Sequence, residues 1–147
     1  MLSDIPLNVV VMQLFFGLAL GSIFVIMASG LSIIYGLLDV VNFAHGVFAM
    51  LGAYVVFFAV SLSGNFAVGI VSAVVIVALL GALVEFVLLK PLYGKDPLLP
   101  LLLTFGLAVA IPDVVKIAFG LIGKAVAYPA AFSGATKLGP LILSNYR

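Results

Sequence analysis

The chain has 147 residues, of which 66% are hydrophobic and 7% charged, with a formal net charge of +1 and no cysteine. That composition cannot build the mixed, charged surface of a water-soluble domain, so the chain reads as an all-α polytopic membrane protein in a lipid bilayer. The missing cysteines exclude disulfides and thiolate chemistry, and with no basic stripe to neutralise phosphates, no nucleic acid is expected as a partner.

From the N-terminus, no charge stands between Asp4 and Asp39, and between Asp39 and Glu85 only His45 interrupts the uncharged run. Each gap exceeds the roughly 20 residues that span hydrocarbon. Asp4 occupies what would be the basic start of a signal peptide, and the apolar run after it is too long for one, so the first segment is expected to stay. A first helix is predicted over about 7–27, followed by a small-residue break at Ala28, Ser29 and Gly30. Residues 31–38 rise only ~12 Å as a helix, too little to cross alone. They run through "DVVNFAHGVF", 39–48, into apolar sequence ending at Leu62, which makes a broken second helix. "SGN", 63–65, reads as a turn, and 66–89 as a third helix ended by the polar "KPLYGKDP", 90–97. Asp96 can cap a fourth helix over 98 to about 120, with Pro97 in its first turn and Pro112 expected to kink or interrupt it. The expected organisation is thus about four transmembrane helices in a domain of residues 1–122. A periplasmic tail, 123–147, follows, with room for one short β-hairpin about Gly139 and Pro140. No internal repeat is visible.

Lysine placement sets the orientation. Lys90 and Lys95 flank the short loop before the fourth helix while 63–65 carry no charge, which puts 90–97 in the cytoplasm and the N-terminus outside. Lys116, Lys124 and Lys137 fall on the outer side and pull against this.

The polar cluster in 39–48 is the chief candidate for function. A helix over 31–62 would be ~48 Å long against ~30 Å of hydrocarbon, so something must break it or let it project. Asn42 and Gly46 can interrupt it, and freed backbone groups at membrane depth persist only beside protein or a wet cavity. Asp39, Asn42 and His45 are spaced by threes and share one face if the segment is helical. The plainer reading places "DVVN" at the cytoplasmic interface, with Asp39 solvated and His45 bonded to nearby backbone. The two readings are evenly matched on the residues alone.

"YGLLDVVNFAHGVFAMLGAY", from Tyr35 and Gly36 through Asn42, His45 and Gly46 to Tyr54, resembles the signature of the membrane subunit of branched-chain amino acid ABC importers. "EFVLLKPLYGKDPL", 85–98, and the following "LLLTFGLAV" resemble further blocks of that family, as do "GLALGSIF" and "SGATKLGPLILSNYR". The chain departs from the family pattern at Val47, Phe86, Lys90, Pro112 and Asp113. The resemblance covers the chain but only about the first half of such a permease. It implies an inner-membrane permease subunit of a prokaryote, working by alternating access with a second permease subunit, cytoplasmic ATPase subunits and a periplasmic substrate-binding protein. It also implies that Tyr35, Gly36, Asn42, His45 and Gly46 form the transport pathway at the helix break. The family serves amides, urea and other small amino acids as well, and the chain alone is expected not to transport without its complement. The chain contains no P-loop, so ATP is bound elsewhere and no cofactor is expected.

Weaker signals remain. Gly17 and Gly21 in "GLALG" suit close helix packing. Glu85, near the end of the third helix, is read as snorkelling or pairing with a lysine, and Asp113 with Lys116 as an interfacial pair. An intramembrane hydrolase would need His45 with Ser22, Ser29 or Ser32, and no G-x-S-x-G motif supports one. A non-transporting helical protein packed in a larger complex is the remaining alternative.

Overall fold

The computed structural model describes residues 6–126, 134–138 and 141–144. Its helices are α1 (Leu7–Leu38), α2 (His45–Ser63), α3 (Phe66–Val84) and α4 (Leu98–Phe119), and all four helical stretches are long and apolar enough to cross a membrane. A π-helical turn (Glu85–Leu89) and a 3-10 turn (Lys90–Leu92) extend α3. Strands β1 (Ala135–Leu138) and β2 (Leu141–Ser144) pair antiparallel on either side of the expected hairpin turn. Gly139, Pro140 and Ser133 lie outside the described residues. Two compact units result, one of Leu31–Ala127 and one joining the chain up to Gly30 with the residues from Tyr128 onward.

The expected break at Ala28 to Gly30 does not occur: α1 runs unbroken for 32 residues. Ser29 turns its hydroxyl back onto the carbonyl of Val25, 2.7 Å away, and so leaves no polar group to compete for the helical backbone. One interior glycine weakens a helix by only about 1 kcal/mol, while unmade backbone hydrogen bonds in hydrocarbon cost several. The overlong helix is therefore α1, at ~48 Å, and the interruption comes after it, at residues 39–44. Pro112 likewise sits inside an α4 that continues to Phe119. As expected, Asp96 caps α4, its Oδ1 accepting from the amide of Leu98 at 2.9 Å.

Within Leu31–Ala127, α2 and α3 form a close antiparallel pair. Gly64 takes a left-handed conformation (φ 67°) that ends α2, and Asn65 caps α3 by accepting from the amide of Ala67 at 2.9 Å. Gly69 permits the contact: a Cβ there would lie 2.6 Å from Val60 Cγ2 and 3.4 Å from the Val56 carbonyl. Among the described residues, Ala44, Val47, Val60, Leu89, Pro100 and Val115 are buried apolar ones. Large apolar side chains are left exposed on all four helices.

Candidate functional site at the helix break

The break begins where α1 ends. The amide of Asp39 still donates to Tyr35 O at 2.9 Å, but Asp39 itself has φ 53°, a left-handed conformation that aspartate adopts more readily than most residues. Residues 39–42 are then non-helical. Asn42 Oδ1 accepts from the amide of Ala44 at 3.0 Å, an Asx turn that starts the chain back into α2. The amide of His45 donates to Asn42 O at 3.2 Å, so the carbonyl of Val41 loses the donor a continuous helix would have given it. Thr104 of α4 supplies a replacement: its hydroxyl lies 3.2 Å from Val41 O and 3.1 Å from Leu101 O. Thr104 is 0% exposed, the buried polar side chain among the described residues. Next to it, Phe105 meets Phe43 edge-on, with ring centroids 6.2 Å apart.

Beside the break lies a cavity of about 300 Å³. Its walls are mostly apolar, including Phe48, Val77 and Val84, and four polar side chains face it: Asn42, His45, Glu85 and Tyr93. Gly81 forms part of the wall, and a Cβ there would meet nothing within 4 Å. The far side is built by the unusual end of α3. Lys90 donates its amide to Glu85 O, closing the wide π turn, and Tyr93 then folds back so that its hydroxyl donates to Glu85 Oε1. Tyr93 stands just beyond the helical span, where burial, followed by the bonded Glu85 carboxylate, pushes its pKa up to about 12.

Of the residues expected at the site, the structure brings Asn42 and His45 to the cavity. Tyr35 and Gly36 sit exposed in the last turn of α1 and Gly46 exposed in the first turn of α2; none of the three lines the cavity. Asp39 is exposed too, and because 39–42 is not helical the spacing by threes gives these residues no shared face. Glu85 does not pair with a lysine. Lys90 lies over the Phe86 ring, 5.0 Å from its centroid, and Glu85 takes Tyr93 instead. An acid inside an apolar helix was signal enough to suspect Glu85. Nothing in the sequence pointed to Tyr93 or Thr104. Asp113 and Lys116 do pair, at 2.9 Å. Gly17 and Gly21 line an open groove on α1 with Gln13, and a Cβ at either would touch nothing. The hydroxyl of Ser22 donates to Leu18 O, as that of Ser29 does to Val25 O.

Comparison with known proteins gives a consistent answer. The profile of the family described as "Branched-chain amino acid transport system / permease component" matches residues 13–138. The high-affinity branched-chain amino acid transport system permease protein LivH of Escherichia coli K12 is 32% identical over 136 residues, covering 86% of this chain and 44% of its own. LivH of Salmonella typhimurium is 30% identical over the same length, with the same coverage. BraD of Pseudomonas aeruginosa, named for the same type of system, is 29% identical over 114 residues, 71% of this chain and 37% of BraD. The chain thus spans less than half the length of these relatives. No solved structure matches at comparable stringency.

Proposed function

The chain belongs to the permease-component family of branched-chain amino acid transport systems, and on that basis we propose that it lines part of the path by which an ABC importer carries branched-chain or related small amino acids across a prokaryotic inner membrane. The observation that carries this reading is the cavity at the break. Four polar side chains converge on an otherwise apolar wall where α1 ends and α2 begins, and a concave, largely apolar wall with a few convergent polar groups is the usual form of a small-molecule site. Amino acids present a charged backbone and an apolar side chain, and a wall of mixed character can accept both.

In this reading the chain makes and breaks no covalent bond. A periplasmic binding protein delivers the amino acid, a second permease subunit completes the path, and separate cytoplasmic ATPase subunits drive the alternation between outward and inward states. Residues 90–97 face the cytoplasm and the N-terminus and residues 123–147 the periplasm, consistent with Lys90 and Lys95 in the short connection after α3.

Gly81→Leu in the complete permease assembly tests the path directly. A side chain there enters open space, so insertion and folding are expected to stay normal while leucine fills the cavity. Uptake of radiolabelled leucine or valine should fall at least about tenfold, the loss expected when a misplaced group obstructs a site. Wild-type uptake with normal amounts of protein in the membrane would remove the cavity from the path. Uptake of urea or an amide, with none of amino acids, would transfer the reading to that substrate. For orientation, Lys95→Cys should resist an impermeant thiol reagent in intact cells and Lys124→Cys should react; the opposite pattern would invert the assigned topology.

A further inference from the structure

We propose that Thr104 is a positioning residue for the cavity: its hydroxyl stands in for the helical donor that Val41 lost, and so fixes the broken segment with Asn42 and His45 against the cavity wall. The inference rests on the reading of the cavity as part of the path, and it adds a residue on a different helix that controls the cavity's shape.

Three observations converge on it. In an unbroken helix the amide of His45 would bond the carbonyl of Val41, four residues back; here it bonds Asn42 O instead, at 3.2 Å. The carbonyl left over needs another partner, since an unpaired acceptor in a part-buried segment is costly. Thr104 Oγ1 reaches it at 3.2 Å across 63 residues of sequence, from a position with no solvent exposure. The adjoining Phe105 meets Phe43 of the same segment, so α4 grips the break at two consecutive positions. A threonine in a membrane helix often does no more than bond its own preceding turn, and Thr104 also has Leu101 O at 3.1 Å. The shared geometry distinguishes it from Ser29 and Ser61, whose hydroxyls reach only the carbonyl four residues back.

The chain has no cysteine, so His45→Cys provides a single thiol on the cavity wall. The experiment measures the rate at which a small maleimide labels this thiol in native membranes, in three backgrounds: Thr104, Thr104→Ser and Thr104→Val. Lys95→Cys in the same backgrounds reports the rest of the bundle. The positioning role requires labelling at position 45 to rise about three- to tenfold with valine, the range set by the net worth of one hydrogen bond. It also requires near-wild-type labelling with serine, and no change at position 95 in any background. Equal rates in all three backgrounds would show that the hydroxyl serves only its own helix and would overturn the proposal. A rise with serine as well as valine would overturn it in favour of methyl packing. A rise at both positions 45 and 95 with valine would overturn it in favour of a general structural role. None of these rates depends on transport, so a failure of the permease reading would appear in uptake and leave the labelling result standing.

Discussion

Two of the connectors between the apolar helices of Leu31–Ala127 follow a similar local plan. At 64–65 the chain leaves α2 through a left-handed Gly64 and enters α3 through Asn65, whose side chain accepts from the amide two residues on. At 39–44 it leaves α1 through a left-handed Asp39 and approaches α2 through Asn42, whose side chain again accepts from the amide two residues on. The first connector is exposed, and the helices on either side lie in close contact across Gly69. The second is partly buried, is held from outside by Thr104, and opens onto a cavity. The same local chemistry therefore gives a turn where water can complete the hydrogen bonds. Where the connector is part-buried, it gives a supported gap, and part of the support comes from another helix.

The close contact is where a substitution should cost most. Gly69→Leu has little space to enter, because even a Cβ would overlap Val60 Cγ2 and crowd Val56 Cγ1. A loss of about 3 kcal/mol is expected in denaturant unfolding in detergent micelles. A Gly69→Leu chain as stable as the parent would mean that α2 and α3 do not depend on close approach, and the contrast between the connectors would weaken.

The paired asparagines sharpen the contrast further. Asn42→Ala removes the acceptor for the amide of Ala44, a residue with no exposure, and should cost about 2 kcal/mol because that donor is left unpaired. Asn65→Ala removes a helix cap on an exposed turn, where water can substitute, and should cost about 1 kcal/mol. Equal losses would show that the break is as wet as the turn.

Much of this fold was legible in the residues because the relevant forces are local. Four spans follow from uncharged runs, the cap on α4 from Asp96 beside Pro97, and the turn at 63–65 from its glycine and asparagine. The place of the interruption was not legible. Ala28 to Gly30 and residues 39–44 both look breakable, and the choice is decided by which freed carbonyls find partners. Thr104, 63 residues downstream of Val41, is such a partner, and sequence spacing does not reveal it. The wall opposite was hidden for a different reason. Residues eight apart on a straight α-helix are about 80° out of phase, so nothing suggested that Tyr93 would return to Glu85. The π turn followed by the 3-10 turn changes that phase, and both are departures from regular periodicity that the sequence does not announce.

The left-handed residues offer a smaller test of the same comparison. Gly64→Ala places a Cβ in a conformation that L-residues disfavour and should cost about 1 kcal/mol. Asp39→Gly runs the other way: it relieves a non-glycine residue at φ 53°, and the added freedom of the unfolded chain nearly cancels the gain. Its unfolding midpoint should stay at or slightly above that of the parent. A clear loss with Asp39→Gly would show that the aspartate side chain does something at the break that Gly64 has no need to do in the turn.

The smallest expected effect concerns the wall that closes the cavity opposite the break. Tyr93 is bonded to Glu85 and its pKa is pushed up to about 12 from an ordinary 10.0, chiefly by burial. The folded state therefore favours the neutral phenol, and the stability this lends is fully present below pH 10, then lost as pH rises through 10 toward 12. Because Tyr93 is still 39% exposed, solvent screens the interaction and the change in stability should be slight. Ultraviolet difference titration of the parent against Tyr93→Phe should show one tyrosine missing from the high-pH end of the curve, near 12. If the missing tyrosine instead titrates at its ordinary value, the hydrogen bond to Glu85 does not hold in the membrane. The cavity would then lose the wall that sets it apart from the exposed turn.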